Sequence, residues 1–177
     1  TCMKGGYWAG SLIVLMGPPK GGKSLILNNL AARSVSLGYN TAYITLELQE
    51  ELVNMRIGSN LLDIPIDNYD KVAEDQDYLR KKINDFRSNS FNPLGALHIK
   101  EFPSSTASTN DIESYLLKTE ELLGIKFKNV YIDYINIMKN WRNPNTENTY
   151  MKIKQIAEDL RAMAMRNGWC IITATQI

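Results

Sequence analysis

The sequence is poor in the residues that build metal centres and disulfide frameworks. Its 177 residues include one histidine, His98, and two cysteines, Cys2 and Cys170. Two cysteines in a chain of this size do not make a disulfide scaffold, and their positions lack the spacing of metal ligands. We therefore expect reduced thiols and a structural role for His98, which has no candidate ligand partner near it in sequence.

Long apolar runs and an excess of one charge are also absent. No apolar stretch approaches the ~20 residues that span a bilayer, and residues 1–6 lack the apolar segment of a signal peptide. The net charge of +1 gives no overall attraction to nucleic acid, so such binding has to come from a local patch. We expect one soluble, cytoplasmic domain over residues 1–177, without membrane contact.

A glycine-rich segment follows the first apolar run. Residues 17–24 read Gly-Pro-Pro-Lys-Gly-Gly-Lys-Ser and fit the pattern G-x-x-x-x-G-K-[ST], between a predicted strand and a predicted helix. Such a loop can turn its backbone N–H groups and the positive end of the helix dipole toward phosphate oxygens. The candidate nucleotide-binding residues are Gly17, Pro18, Pro19, Lys20, Gly21, Gly22, Lys23, Ser24 and Leu25.

Two side chains of this loop have their own predicted roles. Lys23 can contact the terminal phosphates as a point charge, and the hydroxyl of Ser24 can ligate a magnesium ion. The segment Pro18-Pro19-Lys20 makes the loop stiffer than a glycine-rich version, at positions where the pattern is variable.

Strands and helices alternate along the chain. We predict strands at 11–16, 41–46, 97–102, 129–134 and 169–175. We predict helices at 23–37, 50–62, about 74–86, up to 123 from a cap at Thr109 or Asn110, and 149–167, with breaks at 63–67 and 88–93. This order indicates an α/β fold with a mostly parallel twisted sheet, helices on both faces and ligand chemistry at the carboxyl ends of the strands.

Three polar side chains end three of these strands. Asp133 is placed to hold magnesium directly or through its waters, and Glu47 to orient and deprotonate a water that attacks the terminal phosphate. Gln176 can contact both that phosphate and a neighbouring element. Glu50 and Glu51 are rivals of Glu47, but they fall in the first turn of the next helix, where the helix dipole is a sufficient explanation.

Four segments together resemble one family. They are residues 17–24, residues 43–48 (Tyr-Ile-Thr-Leu-Glu-Leu) with Arg56 after them, residues 130–138 (Val-Tyr-Ile-Asp-Tyr-Ile-Asn-Ile-Met) and residues 173–177 (Thr-Ala-Thr-Gln-Ile). Their order and spacing resemble the RecA-like P-loop motor of DnaB-type replicative helicases, with the nearest likeness to bacteriophage helicases that work beside a primase.

The resemblance implies an ATP- and Mg²⁺-dependent enzyme. Such proteins form a ring, commonly a hexamer, around single-stranded DNA, move 5′ to 3′ and unwind duplex DNA, with a primase and a loader as partners. Carried over, Lys23 and Ser24 are phosphate and magnesium contacts, Glu47 the catalytic carboxylate, Asp133 the second acidic motif and Gln176 the sensor. The last strand is then expected between the first strand and the strand that ends at Asp133.

The ends of the chain depart from the family pattern. The first residue is Thr1, and the chain stops at Ile177, where the family continues into a second DNA loop and an arginine finger. We therefore expect a fragment that binds nucleotide but hydrolyses it slowly by itself. A recombinase that forms filaments on DNA, or a regulatory ATPase that acts as a nucleotide-dependent clamp, are the alternative interpretations.

Two features keep open interpretations. The loop 139–148 combines Lys139, Trp141 and Arg142, a mixture of charge and stacking that suits single-stranded DNA; alternatively, it is a solvated connection whose tryptophan packs on the domain. Arg56 either pairs with a carboxylate near the nucleotide or braces its helix on the sheet.

Overall fold

The structure is a computed structural model that describes residues 7–88, 93–146 and 148–176. It contains a five-stranded sheet in which every strand pair is parallel. The strands are β1 (Leu12–Gly17), β2 (Thr41–Thr45), β3 (Leu97–Glu101), β4 (Asn129–Asp133) and β5 (Cys170–Gln176). Each lies within one residue of its predicted bounds. The strand order is β1-β5-β4-β2-β3, which confirms the predicted place of the last strand.

Six α-helices and one short 3₁₀ helix connect the strands in the described part of the chain. The helices are α1 (Lys23–Ser36), α2 (Glu50–Leu62), α3 (Ile66–Glu74), α4 (Gln76–Ser88), α5 (Thr109–Leu123) and α6 (Thr149–Asn167), and the 3₁₀ helix is Ile135–Ile137. Across the residues that the structure describes, no helix is both long and apolar enough to cross a membrane.

The sheet is buried on both faces, which explains why its central strands are nearly continuous apolar runs. One face packs on α1 and α2 through a cluster that includes Leu27, Ala31, Val53, Ile57 and Ile172. The other face packs on α5 and α6 through a larger cluster that includes Ile112, Leu116, Leu160, Met163 and Ile171. The two cores hold the strands rigidly, so the side chains at their carboxyl ends have fixed positions.

The region after α2 differs from the prediction. A single helix was expected at about 74–86, but the chain forms α3 and α4, separated at Asp75. Asp63 adopts a left-handed conformation with φ 52° and ends α2. Pro65 then directly precedes α3, because proline lacks the N–H that a helix start leaves unpaired. The carboxylate of Asp75 accepts the N–H of Tyr78 at 3.0 Å and starts α4. Of the predicted loop at 88–93, residues 89–92 lie outside the described residues.

The predicted cap of α5 is also wrong by one or two residues. Ser108, and not Thr109 or Asn110, is the N-cap. Its hydroxyl accepts the N–H of Asp111, and the carboxylate of Asp111 accepts the N–H of Ser108 at 2.9 Å. This reciprocal capping box satisfies two donors at once, which a single cap at 109 or 110 would not. The predicted stop at Gly124 is confirmed by its left-handed φ of 63°.

Candidate functional site

The phosphate-loop residues join β1 to α1 in a tight turn. Gly22, the residue before α1, has a left-handed backbone with φ 77°. The N–H of Gly21 donates to the carbonyl oxygen of Pro18 at 3.1 Å. A side-chain carbon on Gly21 would lie 2.9 Å from that oxygen, too close to fit without a shift. Glycine is therefore needed at position 21 for space and favoured at position 22 for conformation.

Helix α1 begins at this loop without a competing negative charge. No side chain among the described residues caps its first turn, and that turn contains no acidic residue. Its first N–H groups and the positive end of its dipole are thus available to an anion.

Lys23 provides a fixed positive charge inside the loop. Its side chain is 9% exposed, and Nζ donates to the carbonyl oxygens of Gly17 at 3.0 Å and Pro18 at 2.6 Å. These two acceptors hold the ammonium group against the loop. A phosphate bound there would meet a charge that is already in position.

The loop forms one wall of a cleft of about 430 Å³ at the carboxyl ends of the strands. The cleft contains all three of the predicted strand-end side chains and most of the loop. Its lining residues are Lys20, Gly21, Gly22, Lys23, Ser24, Leu25, Glu47, Leu48, Arg56, Ile66, Asp133, Tyr134 and Gln176. Residues far apart in sequence therefore meet as the motif interpretation expected.

Asp133 lies at the bottom of this site, at the end of β4, with 1% of its surface exposed. Its Oδ1 accepts a hydrogen bond from Ser24 Oγ at 3.1 Å, and its Oδ2 accepts one from the hydroxyl of Tyr43 at 3.3 Å. Burial raises the pKa of Asp133, and the two hydroxyl donors oppose that effect. No lysine or arginine of the described residues forms a salt bridge with this carboxylate.

The donor set at Asp133 fits magnesium. The Ser24 hydroxyl and the Asp133 carboxylate present two adjacent oxygen ligands, the kind that Mg²⁺ prefers. Within residues 7–88, 93–146 and 148–176, no cluster of three or more acidic, histidine or cysteine side chains could enclose a metal. That agrees with magnesium chemistry, because the ion usually keeps waters and phosphate oxygens as its other ligands.

Glu47 is exposed and lies two residues beyond the end of β2. The hydroxyl of Thr45 accepts the N–H of Leu48 at 3.0 Å and donates to the Leu48 carbonyl oxygen at 2.8 Å. This closed turn sets the direction of the segment that carries Glu47. The side chain lines the cleft, in reach of solvent water.

The rivals Glu50 and Glu51 lie elsewhere. They line a separate groove beside His98, and Glu50 Oε2 accepts the N–H of Glu101 at 3.2 Å. In return, Glu101 Oε2 accepts the N–H of Glu50 at 3.1 Å. This pair of bonds ties the start of α2 to the end of β3. Sequence reasoning did not find the structural role of Glu101, because the contact spans 51 residues.

Gln176 reaches the cleft at the end of β5, and a second residue that sequence reasoning missed holds it. The amide oxygen of Asn136 accepts the backbone N–H of Gln176 at 3.1 Å and the hydroxyl of Thr175 at 3.0 Å. Asn136 thus ties the turn after Asp133 to the end of β5. Its position three residues after Asp133 was the available signal.

Arg56, on α2, lines the same cleft. Its positive charge lowers the pKa of Asp133, although this is the weakest of the influences on that carboxyl. Among the described residues it makes no salt bridge within 4.0 Å. This position favours a role near the nucleotide over a simple brace between helix and sheet.

The loop at 139–148 contacts α6. Trp141 Nε1 donates to Asp159 Oδ2 at 2.7 Å. The guanidinium of Arg142 forms salt bridges with Asp159 and, at 3.2 Å, with Glu158. The Trp141 indole still has 47% of its surface exposed, and the Lys139 side chain is exposed. Glu147 lies outside the described residues.

These contacts bear on both interpretations of the loop. The tryptophan packs on the domain, as the solvated-connection alternative expects, and the arginine charge is compensated by carboxylates. One face of the indole and the Lys139 ammonium remain accessible, as stacking and phosphate contact require. The candidate DNA residues are therefore near one another, but at a loop that is separate from the nucleotide cleft.

A parallel sheet with a phosphate loop after its first strand and an aspartate at the end of the neighbouring-but-one strand defines a RecA-like P-loop nucleotide-binding domain. Comparison with known proteins makes this more specific. The family described as DnaB-like helicase C-terminal domain matches residues 2–177. The chain belongs to this family.

Individual relatives agree. The chain is 35% identical over 175 residues to the DnaB-like replicative helicase of Enterobacteria phage T4, covering 98% of this chain and 36% of that protein. Two solved structures share the fold: a DnaB-like replicative helicase studied with its primase interactions (22% identity, TM-score 0.73, 97% of this chain and 40% of that chain), and the ATPase domain of another protein (21%, TM-score 0.74, 98% and 60%). The chain thus spans only about a third of the curated relatives' length, 36% and 34%.

Proposed function

We propose that this domain is the ATP-hydrolysing motor of a ring-forming replicative DNA helicase. The observation that carries the proposal is the meeting of the phosphate loop, Glu47, Asp133 and Gln176 around one cleft. Family membership supports the same activity.

The proposed chemistry assigns one task to each group. The loop N–H groups and Lys23 bind the β- and γ-phosphates, and Ser24 with Asp133 would hold Mg²⁺, which neutralises charge on the phosphates. Glu47 orients the attacking water and accepts its proton. Gln176 contacts the terminal phosphate and passes its loss to the end of β5.

The position of Glu47 suits a general base better than the positions of its rivals. It lines the cleft, whereas the Glu50 carboxylate accepts the N–H of Glu101 and both Glu50 and Glu51 line another groove. A catalytic base must first be within reach of the reacting water. Geometry therefore supports the choice.

We also propose single-stranded DNA, other copies of the chain in a ring, a primase and a loader as partners. The primase proposal draws on the relative studied with its primase interactions. For DNA, the loop at 139–148 supplies Lys139, Trp141 and Arg142 near the surface. Movement 5′ to 3′ is proposed from the family.

The test measures ATP hydrolysis by the assembled protein with and without single-stranded DNA, and displacement of a labelled strand from forked duplexes. We expect DNA-stimulated hydrolysis and displacement only when the fork offers a 5′ tail. Electron microscopy should show closed rings. Filaments on DNA would favour the recombinase alternative, and hydrolysis that ignores DNA would favour a regulatory ATPase.

A further inference from the structure

Tyr43 is a buried polar residue to which the mechanism above gives no task. It lies on β2, next to β4, and its side chain has no exposed surface. In the register of the two strands, Tyr43 faces Tyr131 and Thr45 faces Asp133. Tyr43 and Thr45 are two residues apart and point to the same face, so Tyr43 reaches Asp133 along the diagonal between neighbouring strands.

The hydroxyl of Tyr43 meets one particular oxygen of Asp133. It donates to Oδ2 at 3.3 Å, while Ser24 donates to Oδ1 at 3.1 Å. Within the described part of the chain, these are the two side-chain hydrogen bonds to the carboxylate. With one donor on each oxygen, the carboxylate plane cannot rotate without losing a bond in a buried site.

The ring of Tyr43 is itself fixed. It stacks on Tyr131 with ring centroids 6.1 Å apart and an angle of 15° between the planes. Tyr131 is held in turn by a 2.7 Å hydrogen bond between its hydroxyl and Ser34 Oγ. A row of packed and bonded side chains therefore fixes the hydroxyl at Oδ2.

We infer that Tyr43 is a positioning residue for the metal-binding carboxylate of Asp133. Its hydroxyl holds Oδ2, and so keeps Oδ1 directed toward Ser24 and the magnesium ion that this pair would hold. The inference rests on the proposed function. Partners that orient a ligating carboxylate contribute to metal affinity without touching the metal.

The protonation of Tyr43 agrees with this task. Burial, and then the nearby charge of Asp133, raise its pKa well above the ordinary value. The phenol therefore stays protonated and can donate to the carboxylate at every pH where the protein works.

The experiment compares two buried tyrosines on adjacent strands. Tyr43→Phe keeps the ring and its stacking and removes the hydroxyl at Asp133. Tyr131→Phe is the matched control, because it removes an equally buried hydroxyl whose partner is Ser34. For each protein, calorimetry measures ATP affinity in EDTA and along a magnesium titration, and thermal unfolding measures stability.

For Tyr43→Phe we expect the magnesium concentration at half-maximal enhancement of ATP binding to rise about tenfold, with affinity in EDTA unchanged. Tyr131→Phe should match the wild type in both. In an Asp133→Asn background, Tyr43→Phe should have no further effect on the magnesium response. A magnesium response of Tyr43→Phe equal to that of Tyr131→Phe, shifted or not, would overturn the inference. A wild type that binds no ATP with or without magnesium would instead overturn the proposed function.

Discussion

Two buried aspartates show how the nucleotide cleft differs from the loop at 139–148. Asp133 accepts hydrogen bonds only from neutral hydroxyls, and burial raises its pKa. Asp159, 8% exposed, accepts from the Trp141 indole and forms a salt bridge with Arg142. One carboxylate is prepared for a cation from outside the chain, whereas the other already has a cation from the chain.

The difference gives a physical criterion for function. A buried charge without a protein counterion is costly, and such a group persists where a ligand supplies the counterion. A buried charge that the chain itself neutralises has a sufficient structural explanation. By this criterion the nucleotide cleft has the stronger claim to function, and the loop needs an experiment to establish one.

The largest effect is expected from Lys23→Ala. It removes the positive charge held by Gly17 and Pro18 in the phosphate loop, so Mg²⁺–ATP binding should become undetectable while the thermal unfolding curve stays close to that of the wild type. Calorimetry measures the binding. Lys20→Gln, at an exposed position of the same loop, is the control and should bind ATP. Unchanged affinity of Lys23→Ala would show that the cleft does not bind phosphate through this charge.

Glu47→Gln should separate binding from hydrolysis. The amide fills the same space but cannot accept a proton, so ATP affinity should persist while turnover on single-stranded DNA falls about 100-fold or more. The matched control is Glu51→Gln, which changes an exposed carboxylate one turn away. If Glu51→Gln were the inactive variant and Glu47→Gln turned over normally, the assignment of the base would be wrong.

The sequence predicts the parts of the fold that depend on local pattern. The strand bounds, the phosphate loop and the residues that end β2, β4 and β5 all follow from periodicity and from motif spacing. The neighbour relation of β1 and β5 came from the family resemblance, since the order of parallel strands is not written in any local pattern.

The parts that could not be predicted depend on contacts distant in sequence or on competition between caps. The bonds of Tyr43 and Glu101 join residues 90 and 51 positions apart. At the start of α5, Ser108, Thr109 and Asn110 are all suitable caps, and the reciprocal bond with Asp111 decides for Ser108. The start of α3 at Pro65 was hidden because the same residues read as a break.

The DNA prediction tests the weaker region. Replacing Lys139, Trp141 and Arg142 together by alanine removes two cations and a stacking surface, and should weaken single-stranded DNA binding about tenfold or more. Fluorescence anisotropy of a labelled oligonucleotide measures it, at two salt concentrations. Lys81→Ala with Lys82→Ala is the control, because α4 packs with α2, on the sheet face opposite α6. DNA-stimulated ATPase that is untouched by the triple variant would favour a purely structural loop.

The smallest effects are expected from the two aspartates themselves, and they test the comparison directly. Asp159→Asn leaves Arg142 without its buried partner, although the guanidinium can turn to water, so the free energy of unfolding should fall by about 1–2 kcal/mol. Asp133→Asn removes a buried charge that no protein cation neutralises, and should leave stability unchanged or raise it by up to about 1 kcal/mol. Urea unfolding measures both against the wild type.

The pH dependence sharpens this last prediction. Since burial raises the pKa of Asp133 above its ordinary value of 3.8, the protonated carboxyl is favoured in the folded state. Its contribution to stability is full below pH 3.8 and is lost as the pH rises through the folded-state pKa. The stability of Asp133→Asn relative to the wild type should therefore increase over that window and then stay constant. The pKa of Asp111, which its hydrogen bonds to Ser108 lower, changes stability in the opposite direction, but it is present in both proteins and cancels. A relative stability that falls as the pH rises would mean that the folded protein already neutralises Asp133, and the two aspartates would then not differ in kind.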